Sequence, residues 1–500
     1  MKYLFIPLLA LCSQWAHASF DKTVEAAIAP VSKFLSDIVF YKLTVFGAEV
    51  PWIVIWLIVA AVFFTVYLGF ANIRYFPLAV RHLKGDFHDE SAPGEISHFQ
   101  AVATAISGTV GIGNIGGIAI AMSIGGPGAA FWMIFAGVLA MSTKLVECTL
   151  GVKYRRYNED GSVSGGPMYY LQHACEQHGW IGAGRLLGGF YAVCLVVGCL
   201  GSGNMFQSNQ AYVQMLEITG GDQSVFAERG WLFGLLLAGA IGLVVVGGIR
   251  SIARFTEKVV PFMALLYMSI ALLVIAMSWR EIPAAFALVY EGAFSVDSVT
   301  GGLIGAMLVG FQRALFSNEA GIGTASIAHA AVKTRDPASE GIVSLLEPFI
   351  DTVVISSLSA LVILTTAYPL GLNDGETTGI ALTSASFAHH FSWAPYLLAV
   401  AALLFAFSTV ISWSYYGLKA WTFLVGEGHK RENSFKVIYL LFTVIGCMIS
   451  LDAVLDFSDA LVFMLAIPNI IGLYMLAPVV KRELDSYWAD LKAGRLQKTR

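Results

Sequence analysis

The segment SHFQAVATAISGTVGIGNIGGIAIAMSIGGPGAAFWMIFAGV, running from Ser97 to Val138, carries no formally charged residue and is long enough to cross a bilayer and start back. Near the middle of its first crossing stand Gly108, Gly111, Gly113, Gly116 and Gly117, with Thr109 and Asn114 among them. A bilayer core offers no water to loose backbone, so helix-breaking sequence at that depth is tolerated only against protein or a water-filled cavity. Glycine lets the chain leave helical geometry without a Cβ penalty, and the freed N–H and C=O groups become ligands. A half-helix N-terminus then suits an anionic group and unwound carbonyls suit a sodium ion. Close helix packing through the GxxxG pair Gly113/Gly117 is the competing reading, and the glycines alone do not separate the two. Gly111-x-Gly113-x-x-Gly116 also spells a dinucleotide fingerprint, but that motif requires a preceding strand in a soluble βαβ unit, and none surrounds it.

Of the 500 residues, 57% are hydrophobic and 13% are charged, which no soluble fold accommodates. The chain is therefore a multi-span membrane protein with lipid as its solvent. A net charge of −4 without a basic stripe gives no nucleic-acid surface. The six cysteines show neither CxxC nor zinc-ligand spacing, and the histidines show no metal spacing. No His, Asp and Cys cluster falls at one depth, so neither an enzyme nor an organic cofactor is expected.

Residues 1–18 have the anatomy of a signal peptide, with Lys2, an apolar run and an A-x-A site ending at Ala18; residues 19–50 follow as a polar periplasmic segment. Apolar spans are then expected near 51–73, 97–122, 128–150, 186–217, 230–248, 259–278, 300–331, 342–366, 392–424, 436–451 and 457–480, eleven in all. Lys and Arg concentrate in alternate loops and in the tail 481–500, which the positive-inside rule makes cytoplasmic. The mature N-terminus then lies outside, as a signal peptide requires, in a bacterial inner membrane.

Gly111-Ile112-Gly113-Asn114 in the second span is echoed by Gly321-Ile322-Gly323-Thr324 in the seventh. Five spans separate the two, so the two helices enter from opposite sides. One interrupted helix in each half of a five-plus-five inverted repeat, here 97–278 and 300–480, is the layout of a LeuT-like transporter, with 51–73 as one extra N-terminal helix. The expected fold class is thus an all-α polytopic membrane protein. A channel would repeat its pore helices by rotation instead.

The stretches GTVGIGNIGGIAIAMSIGGPGAAFWM, SGGPMYYL (164–171), NMFQSNQ (204–210), GFQRALFSNEAGIGTASIAHA (310–330) and FSTVISWSYYG (407–417) resemble the alanine or glycine:cation symporter family, from about residue 40 to the tail. The resemblance implies sodium-coupled symport of small neutral amino acids, with the substrate against Gly111, Ile112, Gly113 and Asn114 and completed by Gln207, Thr409 and Trp413. Many members carry Thr where this chain has Ile112, so a larger neutral amino acid such as glutamine stays open as a substrate, and proton coupling as an alternative to sodium.

The chemistry of these residues fits that expectation. A zwitterion needs partners for both charges in a low-dielectric site. Backbone N–H groups after the break suit its carboxylate, the side-chain carbonyls of Asn114 and Gln207 suit its ammonium, and Trp413 can cap a small side chain. The hydroxyls of Ser408 and Thr409, with backbone carbonyls from Thr109 to Ile112, offer sodium hard oxygen ligands. Charges inside spans are costly and usually functional. Arg313, Asn318 and Glu319 at the second break, with Glu347 and Asp351 one turn apart on the next span, read as a gate or coupling network in which Arg313 pairs with an acid. Lys144 and Glu147, three apart on one helix, read as a structural ion pair.

Overall fold

Inside a bilayer every backbone N–H and C=O must be satisfied within its own segment, so the apolar runs of this chain fold as helices. The computed structural model describes residues 30–45, 48–87, 89, 91–294, 302–372, 379–449 and 452–496. The expected signal peptide and the start of the segment after it lie outside these residues. The helices that frame the site are α1 (Trp52–Tyr67), α2 (His98–Thr109), α3 (Ile112–Gly125), α4 (Gly128–Lys153), α5 (Ile181–Leu200), α6 (Gln207–Ile218), α7 (Gly230–Val245), α8 (Gly248–Met277), α9 (Gly302–Asn318), α10 (Ala325–His329), α11 (Pro337–Val343), α12 (Ser356–Thr366), α13 (Gly379–Ala388), α14 (Ala394–Val425), α15 (His429–Gly446), α16 (Asp452–Met464) and α17 (Ala466–Lys492).

Helix occupies each of the eleven expected windows. By length and apolarity, six helices among the described residues suffice to cross a membrane, or seven if the bent pair α2/α3 is one span. Three shorter apolar helices, α1, α7 and α13, accompany them. Helix α13 stands where the sequence reads as a connection between spans. Two π-helical stretches, Gly201–Phe206 before α6 and Phe349–Ile355 before α12, interrupt otherwise continuous helices, and such stretches gather at functional positions.

The two interruptions read from the glycines are both present. Helix α2 ends at Thr109, Val110 and Gly111 are extended, and α3 restarts with a 46° bend. Helix α9 ends at Asn318; Glu319, Gly321 and Gly323 then all take positive φ, at 54°, 96° and 93°, before α10 begins. The close approach of α9 to α4 depends on Gly310: a Cβ there would lie 2.6 Å from the Ala129 carbonyl oxygen and 2.7 Å from Trp132 Cβ.

Overpacking of that kind costs about 1–3 kcal/mol. Gly310→Ala should therefore lower the melting temperature of the detergent-purified protein. Gly239→Ala, on α7 where a Cβ meets nothing within 4 Å, should leave it unchanged or raise it. Equal melting temperatures for the two variants would contradict this packing.

Candidate functional site

At the first break the loose backbone is stitched rather than left open. The Gly111 N–H donates to Asn114 Oδ1 at 2.9 Å, and the Asn114 N–H donates to the Gly111 carbonyl at 3.1 Å. The N–H groups of Ile112 and Gly113, in the first turn of α3, have no intrahelical acceptor. Only the backbone of these two residues is described, so the Ile112 side chain lies outside the described residues. Helix α14 closes the other side of the break: the Thr409 hydroxyl donates to the Ser107 carbonyl at 3.0 Å, and Trp413 Nε1 donates to the Gly108 carbonyl at 3.2 Å. The indole is held against the π-helical turn because Gly203 has no side chain; a Cβ there would sit 2.5 Å from the ring.

At the second break, the Gly321 N–H donates to Glu147 Oε1 at 2.9 Å and its carbonyl accepts from Asn469 Nδ2 at 2.8 Å. The Ile322 carbonyl accepts from the Tyr191 hydroxyl at 2.8 Å. Glu319 accepts from the Thr324 hydroxyl at 2.6 Å. Asn114 joins the two breaks, its Nδ2 donating to Ser317 Oγ at 2.7 Å and to the Asp351 carboxylate. Asp351 also accepts from Ser317 and Thr352, each at 2.7 Å, and Asn318 Nδ2 donates to Thr352 Oγ1 at 3.1 Å.

Between the breaks lies a cavity of about 360 Å³, near the lower end of the small-molecule range of roughly 300–1,000 Å³. Of the expected substrate residues, Gly111, Asn114, Gln207, Thr409 and Trp413 line it, as does Thr109. Gln207 Oε1 is buried and has no hydrogen-bond partner, which leaves an acceptor free for a bound donor. Asn114 differs: its oxygen is taken by Gly111, so it braces the break and Gln207 alone of the two keeps a free carbonyl. Ser408 is also placed differently from its neighbour. Its hydroxyl donates back to the Phe405 carbonyl at 3.0 Å, and it presents its own carbonyl to Ser107 Oγ at 2.8 Å.

The expected charge network is corrected by the structure. Among the described residues no ion pair joins Arg313 to Glu319, Glu347 or Asp351. Arg313 lines the cavity with Asp459, the acid whose charge acts on it, and Asp459 accepts from Ser202 at 2.5 Å. The Lys144–Glu147 pair is not formed either: Lys144 reaches Glu347 on the neighbouring element at 3.6 Å, while Glu147 serves the second break. Sequence reasoning missed Asp459 and Ser317, and missed Gly379 and Ile380 on the cavity wall. Asp459 carried a usable signal, being an acid inside an apolar run.

Cys148, His329 and Glu347 offer ligand atoms within 4.8 Å of one another. Both imidazole nitrogens of His329 already face carboxylates, Nδ1 that of Glu340 at 2.5 Å and Nε2 that of Glu347. The end of the molecule near residues 93–98 and 330–335 is closed. There the Arg155 guanidinium donates to the carbonyls of Pro93, Ala330, Val332 and Thr334 at 2.6–2.9 Å. No described residue of that end lines the cavity.

The model of the Sodium:alanine symporter family matches residues 34–500. The sodium/alanine symporter AgcS of Methanococcus maripaludis is 37% identical over 441 residues, covering 87% of this chain and 94% of that one. The amino-acid carrier protein AlsT of Bacillus subtilis is 33% identical over 442 residues, covering 88% of this chain and 90% of that one. Among solved structures, MhsT in complex with L-phenylalanine has the same fold, with a TM-score of 0.54 at 14% identity over 78% of this chain and 92% of that one. Matched over residues 34–500 and 37% identical to one of its members, this chain belongs to the sodium:alanine symporter family.

Proposed function

We propose that the protein is a secondary active transporter that carries a small neutral amino acid of the alanine and glycine class into the cell with sodium, by alternating access. The observation that carries this reading is the pairing, within one cavity, of a half-helix N-terminus with the orphaned Gln207 oxygen. The first-turn N–H groups of α3 take the substrate carboxylate and Gln207 takes its ammonium, so neither charge is buried unpaired. The Trp413 indole, fixed by Gly108 and backed by Gly203, limits the length of the side chain. Sodium sits at Thr109 and Thr409 among the carbonyls of the first break, with Ser408 steadying α2 through its backbone. Arg313 and Asp459, together with the Asn318–Thr352 and Asp351 contacts, form the gate beside it.

With the Lys- and Arg-rich loops and the C-terminal tail in the cytoplasm of a bacterium, the end closed by Arg155 is the inner one and the cavity faces outward. This orientation is tested by a C-terminal reporter; activity only in the periplasm would invert it.

The function is tested by uptake of a panel of labelled neutral amino acids into proteoliposomes, with and without an inward sodium gradient. Alanine or glycine should accumulate only with sodium. Gln207→Leu should abolish substrate binding, because it puts an apolar group where the ammonium needs an acceptor. Thr409→Ala should raise the sodium requirement by about 5–150-fold, the equivalent of about 1–3 kcal/mol for a lost buried polar partner. Ser408→Ala should matter less, since its carbonyl survives the change. Sodium dependence untouched by Thr409→Ala would remove that residue from the cation site.

Trp413→Leu should widen the cavity and let longer neutral side chains compete with alanine. If the variant keeps the parent's ranking of alanine, glycine, serine and glutamine, the size filter lies elsewhere on the wall.

A further inference from the structure

At the closed end, beside the segment that Arg155 pins, lies a second hollow of about 450 Å³ in which the amino-acid site has no part. Two separate parts of the chain wall it. Helix α8 supplies Arg250 and Arg254, one turn apart at its start. The other wall is built from Glu95, Gln100 and Lys333, and the Lys333 N–H ties it together by donating to the Ile96 carbonyl at 2.8 Å. Gly94 lets these segments lie this close: its φ is 146°, and a Cβ there would sit 2.3 Å from the Val332 carbonyl oxygen and 2.6 Å from the Lys333 nitrogen.

Three cations therefore share one recess with a single acid. That acid is already engaged: Glu95 Oε1 accepts from the Val163 N–H at 2.8 Å, and Oε2 faces Arg250 at 3.8 Å. Glu257, on α8, accepts from Gln100 Nε2 at 2.9 Å. Among the described residues neither Arg254 nor Lys333 has an acidic partner. The gathering of Lys and Arg on one side of a membrane accounts for charges in loops, but not for cations from different elements lining one recess. Such cations repel one another until an anion enters between them. The outer face of α8 indicates what carries that anion. Past Arg250 and Arg254 the same side presents Lys258 and then Phe262 and Leu265, the last two each 59% exposed. In a bilayer these apolar side chains face acyl chains, so a phosphate in the recess has a path for lipid tails alongside it.

We propose that this recess is a binding site for an anionic phosphate group, supplied by the headgroup of a glycerophospholipid in the adjoining leaflet. The guanidinium groups of Arg250 and Arg254 and the Lys333 ammonium take the phosphate oxygens, and the lipid tails run along Phe262 and Leu265. Bound there, the phosphate links α8 to the segment that Arg155 pins and braces the closed end. A ligand that binds only the folded chain raises its stability in proportion to its occupancy, which makes the site measurable without any transport assay.

The test melts the full-length protein in dodecyl maltoside after adding dioleoylphosphatidylglycerol, dioleoylphosphatidylcholine, dioleoylglycerol or inorganic phosphate. Phosphatidylglycerol should raise the melting temperature by several degrees more than the zwitterionic lipid, and the phosphate-free diacylglycerol should add nothing. The double variant Arg254→Gln/Lys333→Gln should lose that extra shift. Arg482→Gln/Lys430→Gln, which removes two exposed cations elsewhere, should keep it in full. Should the first double variant not fold, Lys333→Gln alone is read instead and should shrink the shift. The same shift from inorganic phosphate, lost in the same variant, would keep the phosphate site and overturn the lipid as its source. No difference between the two phospholipids in the wild-type protein would overturn the site. So would an equal loss in both double variants, which would mean diffuse charge attraction, or a full shift in Arg254→Gln/Lys333→Gln.

Discussion

A membrane helix that stops halfway leaves backbone donors and acceptors where no water reaches them, and most of this site is the set of bonds that answers them. Each answer comes from a different part of the chain. Asn114 answers Gly111 from within the same break. Trp413 and Thr409 answer Gly108 and Ser107 from α14. Glu147 on α4, Asn469 on α17 and Tyr191 on α5 answer the second break. These bonds fix where α4, α5, α14 and α17 stand relative to the breaks, and the cavity is the space left between them. The residues that shape the site are therefore also residues the fold cannot release without exposing backbone to an apolar interior.

The breaks themselves were legible in the sequence because glycine acts locally: Gly111 and the Gly321/Gly323 pair announce left-handed or extended backbone wherever they stand. The resemblance carried Gln207, Thr409 and Trp413 to the cavity for the same reason, since each is placed by a motif on its own helix. What could not be read was pairing between helices. Lys144 and Glu147 have the spacing of a helical ion pair, yet the lysine turns to Glu347 and the glutamate to a backbone N–H, because the break nearby has a stronger need for an acceptor. The pairing of His98 with Glu340 spans 242 positions, and no periodicity reports such a distance. Helix α13 escaped notice because its apolar run is too short to look like a span, although Gly379 and Ile380 stand on the cavity wall.

The two π-helical turns make the same point from the side of geometry. One ends where Gln207 begins α6, and the other contains Asp351. An extra residue in a turn shifts the register of everything beyond it, so a side chain can face the cavity while the rest of its helix keeps its packing face. The sequence signals such a turn only weakly. Gly201 and Gly203 accompany the first, where a Cβ would collide with Ser458 and Trp413, but Phe349–Ile355 holds no glycine at all.

The closed end is held by polar bonds as well as by buried apolar residues such as Ile96, Ala331 and Val332, and the two kinds of contact differ in what it costs to part them. Arg155 holds four carbonyls there, and Glu340 holds two histidines. A hydrogen bond exchanged for one to water costs only about 0.5–1.5 kcal/mol net, whereas exposing apolar surface costs roughly 25 cal/mol for every Å². Water entering at that end can replace the Arg155 contacts one at a time at small net cost. The ion pairs deeper in, around Glu347 and Lys144, cannot be exchanged so cheaply while they remain dry, because removing either partner leaves a buried charge. Loosening of this end is thus expected to begin at Arg155 and to reach Glu340 and His98 only once water has followed.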